Sequence, residues 1–81
     1  MDRNVRTQAL NAIAASGDSA RATALALRLI GDYDPLFASA AVRVVGRVGG
    51  ADGRAKLAQA VRAERRVYVR LAMQQMLAAR R

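Results

Sequence analysis

Apolar positions recur at three- and four-residue spacing along most of the chain, and short clusters of glycine, aspartate and serine interrupt them. The clearest segment runs from Asp34 to Gly50. There Phe37, Ala40, Ala41, Val44, Val45 and Val48 follow the i, i+3, i+4 spacing of a helix with one wide apolar face. Both ends are marked. Asp34 stands where a helix N-cap accepts from the first turn, and Pro35 occupies the first helical position, where its missing N–H costs nothing. Gly49-Gly50 can supply the left-handed residue that ends a helix.

The same pattern predicts four more helices. The first runs from about Asp2 to Ala15, with Val5, Ala9, Ala12 and Ile13 on its inner face and Gly17 as its end. Asp18 or Ser16 caps a second, Ser19 to Ile30, which buries Ala22, Leu25, Ala26, Leu29 and Ile30. After the turn Gly31-Asp32-Tyr33-Asp34 and the central helix, a fourth runs from about Gly53 to Ala63. It takes Asp52 as its cap and buries Leu57, Ala58 and Val61. Glu64-Arg65-Arg66 is a connection without glycine or proline, and a fifth helix, about Arg66 to Ala79, presents Val69, Ala72, Met73, Met76 and Leu77. No alternating run of strand length occurs, so the expected fold is all-α. Short connections make each helix antiparallel to the next.

Sliding the sequence against itself by 32 residues aligns Val5 with Phe37 and Val69, and Ile13 with Val45 and Leu77. It also aligns Gly17 with Gly49, Leu25 with Leu57, Ala26 with Ala58, and Leu29 with Val61. A two-helix period of this length is the pattern of stacked hairpins: two full hairpins, about 2–30 and 34–63, and a terminal helix, about 66–79, in a single domain over 1–81. With Asp34-Pro35, the run from Ala40-Ala41 through Gly46 to Gly49, and the pairs Val5-Arg6 and Val69-Arg70, the chain resembles the HEAT-like repeat family in the short form of phycobilisome lyase subunits. The resemblance implies a short right-handed α-solenoid and a binding role, toward protein or nucleic acid. Two positions depart from the pattern: Ala38 stands where the middle repeat would carry arginine, and Arg66 where a turn residue would precede the last helix.

Size and composition narrow the function. A chain of 81 residues buries only about 60–65 % of its unfolded surface, so its own stability is marginal. Without cysteine or histidine it lacks thiolate chemistry, the commonest metal ligand and the commonest general base. The longest apolar runs, Ala22 to Leu27 and Leu36 to Val42, fall far short of the ~20 residues of a membrane span, and the first residues lack the apolar core of a secretory signal. A cytoplasmic protein without cofactor, metal, membrane or small-molecule ligand is expected. That the sequence opens with Met1 inclines toward a whole chain rather than a piece of a longer solenoid.

The net charge of +8 is one-sided. Met1 to Asp34 holds four arginines against four aspartates, whereas Pro35 to Arg81 holds ten bases against Asp52 and Glu64. Arg43 and Arg47 stand four apart with no acid at i±4, and Arg62, Arg66 and Arg70 continue the spacing where helix permits. Thirteen arginines beside nineteen alanines also suit a simple compositional bias, and arginine stems cover apolar surface well. The six acids fall at termini and turns, as capping requires, and Asp32 with Asp34 reads as a turn and cap pair rather than an acid–base pair. The Gly46-to-Gly50 segment closes a helix, unlike a phosphate-cradling loop, which opens one. Tyr33, Phe37 and Tyr68 are too few to form a base-stacking platform.

The sequence therefore predicts a non-catalytic protein-binding or scaffold module, its candidate partner-binding residues being Arg43, Arg47, Arg54, Arg62, Arg66, Arg70, Met73 and Met76. The partner is a protein, acidic by charge matching, or a second copy paired through the last helix, whose apolar stripe lacks the second helix of its hairpin. In that pairing Arg70 and Arg80 stand at the rim. Two other readings stay open: a sequence-independent nucleic-acid binder using Arg43, Arg47, Arg54, Arg62 and Arg66, and a subunit or fragment of a larger solenoid.

Overall fold

The computed structural model describes residues 2–79. They form five helices, α1 (Arg3–Ala15), α2 (Ser19–Leu29), α3 (Pro35–Val48), α4 (Gly50–Val61) and α5 (Val67–Ala78), and no strand occurs among the described residues. The first helices of successive hairpins, α1, α3 and α5, begin at Arg3, Pro35 and Val67, so each starts 32 residues after the last. The sequence period is thus the structural period.

α3 organises the rest because it packs against all four other helices. Its Asp34 cap accepts from the Leu36 amide at 3.0 Å. Phe37, Ala38, Ser39, Ala41, Val42, Val44 and Val45 are all buried. The wide face predicted for this helix is in fact most of its circumference. Ser39 is tolerated there because its hydroxyl donates to the Pro35 carbonyl one turn back, at 2.7 Å. Leu36, Arg43 and Arg47 line the strip left exposed.

The inner face of α1 lies one residue further along than the spacing predicts, a rotation of about 100°. Leu10 is its buried residue, flanked by half-buried Arg6, Ile13 and Ala14, while Val5, Ala9 and Ala12 are exposed. Arg6 accounts for this. Its guanidinium lies 4.0 Å from the centre of the Phe37 ring and donates to Asp32 Oδ1 at 2.6 Å, which draws residue 6 rather than residue 5 inward. Val5 and Ala9 align with Phe37 and Ala41 of α3, which are buried because a helix precedes them in the stack.

α4 also differs from the expected helix. It begins at Gly50, with Gly49 as the cap of both α3 and α4, and Asp52 lies in its first turn instead of capping it. Gly50 makes this possible with φ +61°, a left-handed conformation that reverses the chain within one residue. Its buried positions are Gly53 and Leu57, and Ala58 is exposed. A Cβ at Gly53 would lie 3.1 Å from Val45 Cγ1, so the hydrogen side chain lets α4 close on α3.

Candidate functional site

The turn before α3 gathers two acids and two bases from distant parts of the chain. Arg3 Nε donates to Asp34 Oδ2 at 2.7 Å, Arg6 Nη2 to Asp32 Oδ1 at 2.6 Å, and the Asp34 amide to Asp32 Oδ2 at 3.0 Å. The Arg6 guanidinium holds the Asp32 carboxyl below the usual carboxylate range, and the Arg3 guanidinium does the same to Asp34. Both acids are ionised, paired and committed to the turn, as expected of a cap pair and unlike an acid–base pair.

A second network lies before α5, and it explains the two departures from the repeat pattern. Glu64 is the 32-residue counterpart of Asp32. Where Arg6 serves Asp32, the equivalent position for Glu64 is Ala38, which has no charge to offer. Arg66 takes its place, with Nε 2.9 Å from Glu64 Oε2 and Nη2 3.0 Å from Oε1, and this pairing lowers the Glu64 pKa. The same guanidinium donates to the Ile30 and Asp32 carbonyls, both at 2.7 Å, and so covers the C-terminal end of α2. Arg70 Nη1 donates to the Glu64 carbonyl at 3.1 Å.

Arg54 plays a similar part. It donates to the carbonyls of Met76 and Ala79 at 3.1 Å and to that of Leu77, where the end of α5 leaves acceptors without helical donors. Arg54, Arg66 and Arg70 are thus half-buried structural arginines. Arg62 is the C-cap of α4 and Arg66 the N-cap of α5, so the two do not share a helix face.

The methionines are also placed differently from the expectation. α5 packs on both α3 and α4, and Val69 and Met73 have no exposed surface. Met76 and Leu77 are half-buried against the same core. The stripe expected to lack cover is covered within the chain, because α5 lies over Gly46 of α3 as well as along α4. Arg80, expected at the rim, lies outside the described residues.

Of the expected residues, Arg43, Arg47 and Arg62 remain exposed. Arg47 Nη2 reaches Asn11 Oδ1 of α1 at 3.2 Å. Arg43 has no side-chain hydrogen bond among the described residues. Neither α3 nor α5 contains an acid, so nothing on these two helices neutralises the pair.

The sequence reading missed apolar residues beside them. Among the described residues Val5, Tyr33, Leu36, Val67, Tyr68 and Leu71 are the exposed large hydrophobics; Val5, Leu36, Val67 and Tyr68 stand in the first turns of α1, α3 and α5, Tyr33 in the turn before α3, and Leu71 one turn into α5. Leu36 is 39 % exposed and its 32-residue counterpart Tyr68 is 50 % exposed. That equivalence could have been read from the repeat alignment.

Other chemistry is sparse. A cleft of about 410 Å³ between α2 and α4 is lined by Thr23, Val48, Asp52 and Lys56 among others. Its two charges face each other, with Lys56 Nζ 3.3 Å from Asp52 Oδ2. Among the described residues no cluster of three acidic side chains could hold a metal ion, and no helix is long and apolar enough to cross a membrane.

A protein-family model described as HEAT repeats matches residues 1–78. No curated protein and no solved structure matches the chain.

Proposed function

The chain belongs to the HEAT-repeat family, whose repeats generally mediate protein–protein interaction or scaffolding and are typically non-catalytic, and we propose that this chain is itself a non-catalytic, single-module protein binder. One observation carries this reading: two exposed large hydrophobics, Leu36 and Tyr68, hold equivalent places near the N-terminal ends of the stacked helices α3 and α5, with Leu71 one turn beyond Tyr68. Single exposed apolar side chains are ordinary, but apolar side chains repeated on neighbouring helices, with Arg43 and Arg47 on the same stripe as Leu36, have the composition of a protein interface.

The alternative, a phosphate-binding module, draws on Arg43, Arg47 and Arg62. It is weakened because Arg54 and Arg66, two of the five arginines it would use, are engaged with helix-end carbonyls. Pairing of two copies through α5 would have to use Val67, Tyr68 and Leu71 instead of buried Met73 and half-buried Met76.

The test is a photo-crosslinking residue at position 68 in place of Tyr68, with an identical substitution at Arg28 on the exposed side of α2 as control. The expected outcome is a trapped polypeptide at position 68 and none at position 28. Trapped nucleic acid, or no adduct at position 68, overturns the reading.

A further inference from the structure

We propose that the surface shared by α3 and α5 receives an acidic amphipathic segment of a different protein, its apolar end on Leu36, Tyr68 and Leu71 and its carboxylates on Arg43 and Arg47. This rests on the protein-binding reading above and specifies its partner.

The two helices run side by side in register. α5 is parallel to α3, since Met76 near its end meets Gly46 near the end of α3, and Arg66 at its start meets the Ile30 and Asp32 carbonyls just before α3. Leu36 and Tyr68 hold equivalent places in the two helices, and both are exposed. Arg43 and Gln75 are likewise equivalent and exposed. On α3, residues 36, 43 and 47 share one stripe, because steps of seven and eleven residues return to nearly the same side of a helix. The surface is therefore apolar at the N-terminal end of the pair and polar and basic toward the other, with Leu71 (49 % exposed), three residues from Tyr68, extending the apolar end on α5.

Both arginines lie on the exposed strip of α3, Arg47 also donating to Asn11 of α1, and none of α1, α3 and α5 contributes an acid. A second copy of this chain is a poor source of the missing carboxylates, because each of its acids already serves a cap or an ion pair. Its Asp32, Asp34 and Glu64 are held by Arg6, Arg3 and Arg66, Asp2 and Asp18 cap α1 and α2, and Asp52 pairs with Lys56. Two copies also repel, each carrying +8. An acidic partner removes the like-charge repulsion between Arg43 and Arg47, which lie four residues apart, and its apolar end covers side chains that water now surrounds.

The test uses the whole chain and fluorescent 16-residue helical peptides in which a leucine-bearing half adjoins a glutamate-bearing half, in both orders. Glutamine and lysine versions and a 20-base-pair DNA duplex serve as comparisons. Anisotropy at 50 mM salt should show saturable binding of one glutamate peptide, at least tenfold weaker binding of its glutamine version, and weaker binding still at 200 mM salt. Arg43→Glu/Arg47→Glu should abolish binding of the glutamate peptide and create binding of the lysine peptide, and Tyr68→Ser/Leu71→Ser should weaken it at least fivefold with the helix content intact. No binding of either glutamate peptide, or binding indifferent to the arginine reversal, overturns the proposal. If Tyr68 nonetheless crosslinks to a polypeptide, the protein-binding reading survives and only the acidic segment is lost. If the duplex binds more tightly than every peptide and the reversal abolishes it, both readings fall.

Discussion

Met76 of α5 rests on Gly46 of α3: a Cβ at Gly46 would lie 3.0 Å from both Cβ and Cγ of Met76 and collide with its methyl group. The hydrogen at position 46 is therefore what lets the last helix approach the central one. Replacing Gly46 by alanine would favour the isolated helix by about 1 kcal/mol. The contact opposes this. The methyl of Met76 can swing away, but its Cβ moves only with the backbone, and overpacking of this kind costs about 1–3 kcal/mol. Gly46→Ala should therefore lower the melting temperature, and Gly46→Leu should lower it further. Combined with Met76→Ala, the alanine change should cost less than the sum of the two single changes by at least about 0.5 kcal/mol. Additive losses would show that the two side chains do not meet.

Acid should weaken the fold in a defined window. Asp32, Asp34 and Glu64 all have folded pKa values lowered by their arginine partners. The folded state then binds fewer protons than the unfolded chain, so stability rises with pH. The contribution is complete above the ordinary carboxylate values of about 4, and it is lost as pH falls through the lowered folded values. With no histidine, no side chain of ordinary pKa titrates between about pH 5 and 8. Melting temperatures should be flat across that range and drop below about pH 4, and Asp32→Asn should make the drop shallower. An unchanged drop in that variant would remove the Arg6–Asp32 pair as a contributor.

The central helix and the stack were legible because they rest on local signals. An Asp-Pro start, a wide apolar face and a Gly-Gly end are all contiguous, and the period follows from counting. The face of α1 was not legible, since Val5 and Arg6 are both plausible inward residues until Phe37 and Asp32 are placed opposite Arg6. The arginines show the same limit. Arg43 and Arg47 are recognisable as exposed from their own helix, but Arg54 and Arg66 bond carbonyls between 22 and 36 residues away. Backbone acceptors at that distance leave no mark in the sequence, so structural and exposed arginines look alike until the chain is folded. The covering of Met73 was hidden for a similar reason, because the missing second helix of its hairpin suggests an open stripe, whereas α5 packs on both α3 and α4.

Val45 is the sharpest test of how the hairpins meet. It has no exposed surface, and its Cγ1 stands close to Gly53 of α4, where even a single added methyl would meet it at 3.1 Å. Val45→Asp would place an unpaired carboxylate there. Burying such a charge costs several kcal/mol, and the group would have to take up a proton or draw in water, neither of which this packing admits cheaply. A domain of this size holds only a few kcal/mol in reserve, so the variant should lose its helical circular dichroism at room temperature. Arg43→Glu, two residues away on the exposed strip, should stay within about 0.5 kcal/mol of the wild type, and a carboxylate there would stand four residues from Arg47, a favourable pairing on a helix surface. If the two variants melted alike, α3 would have to be turned by a large fraction of a circle, and the surface assigned to Leu36, Arg43 and Arg47 would turn inward with it.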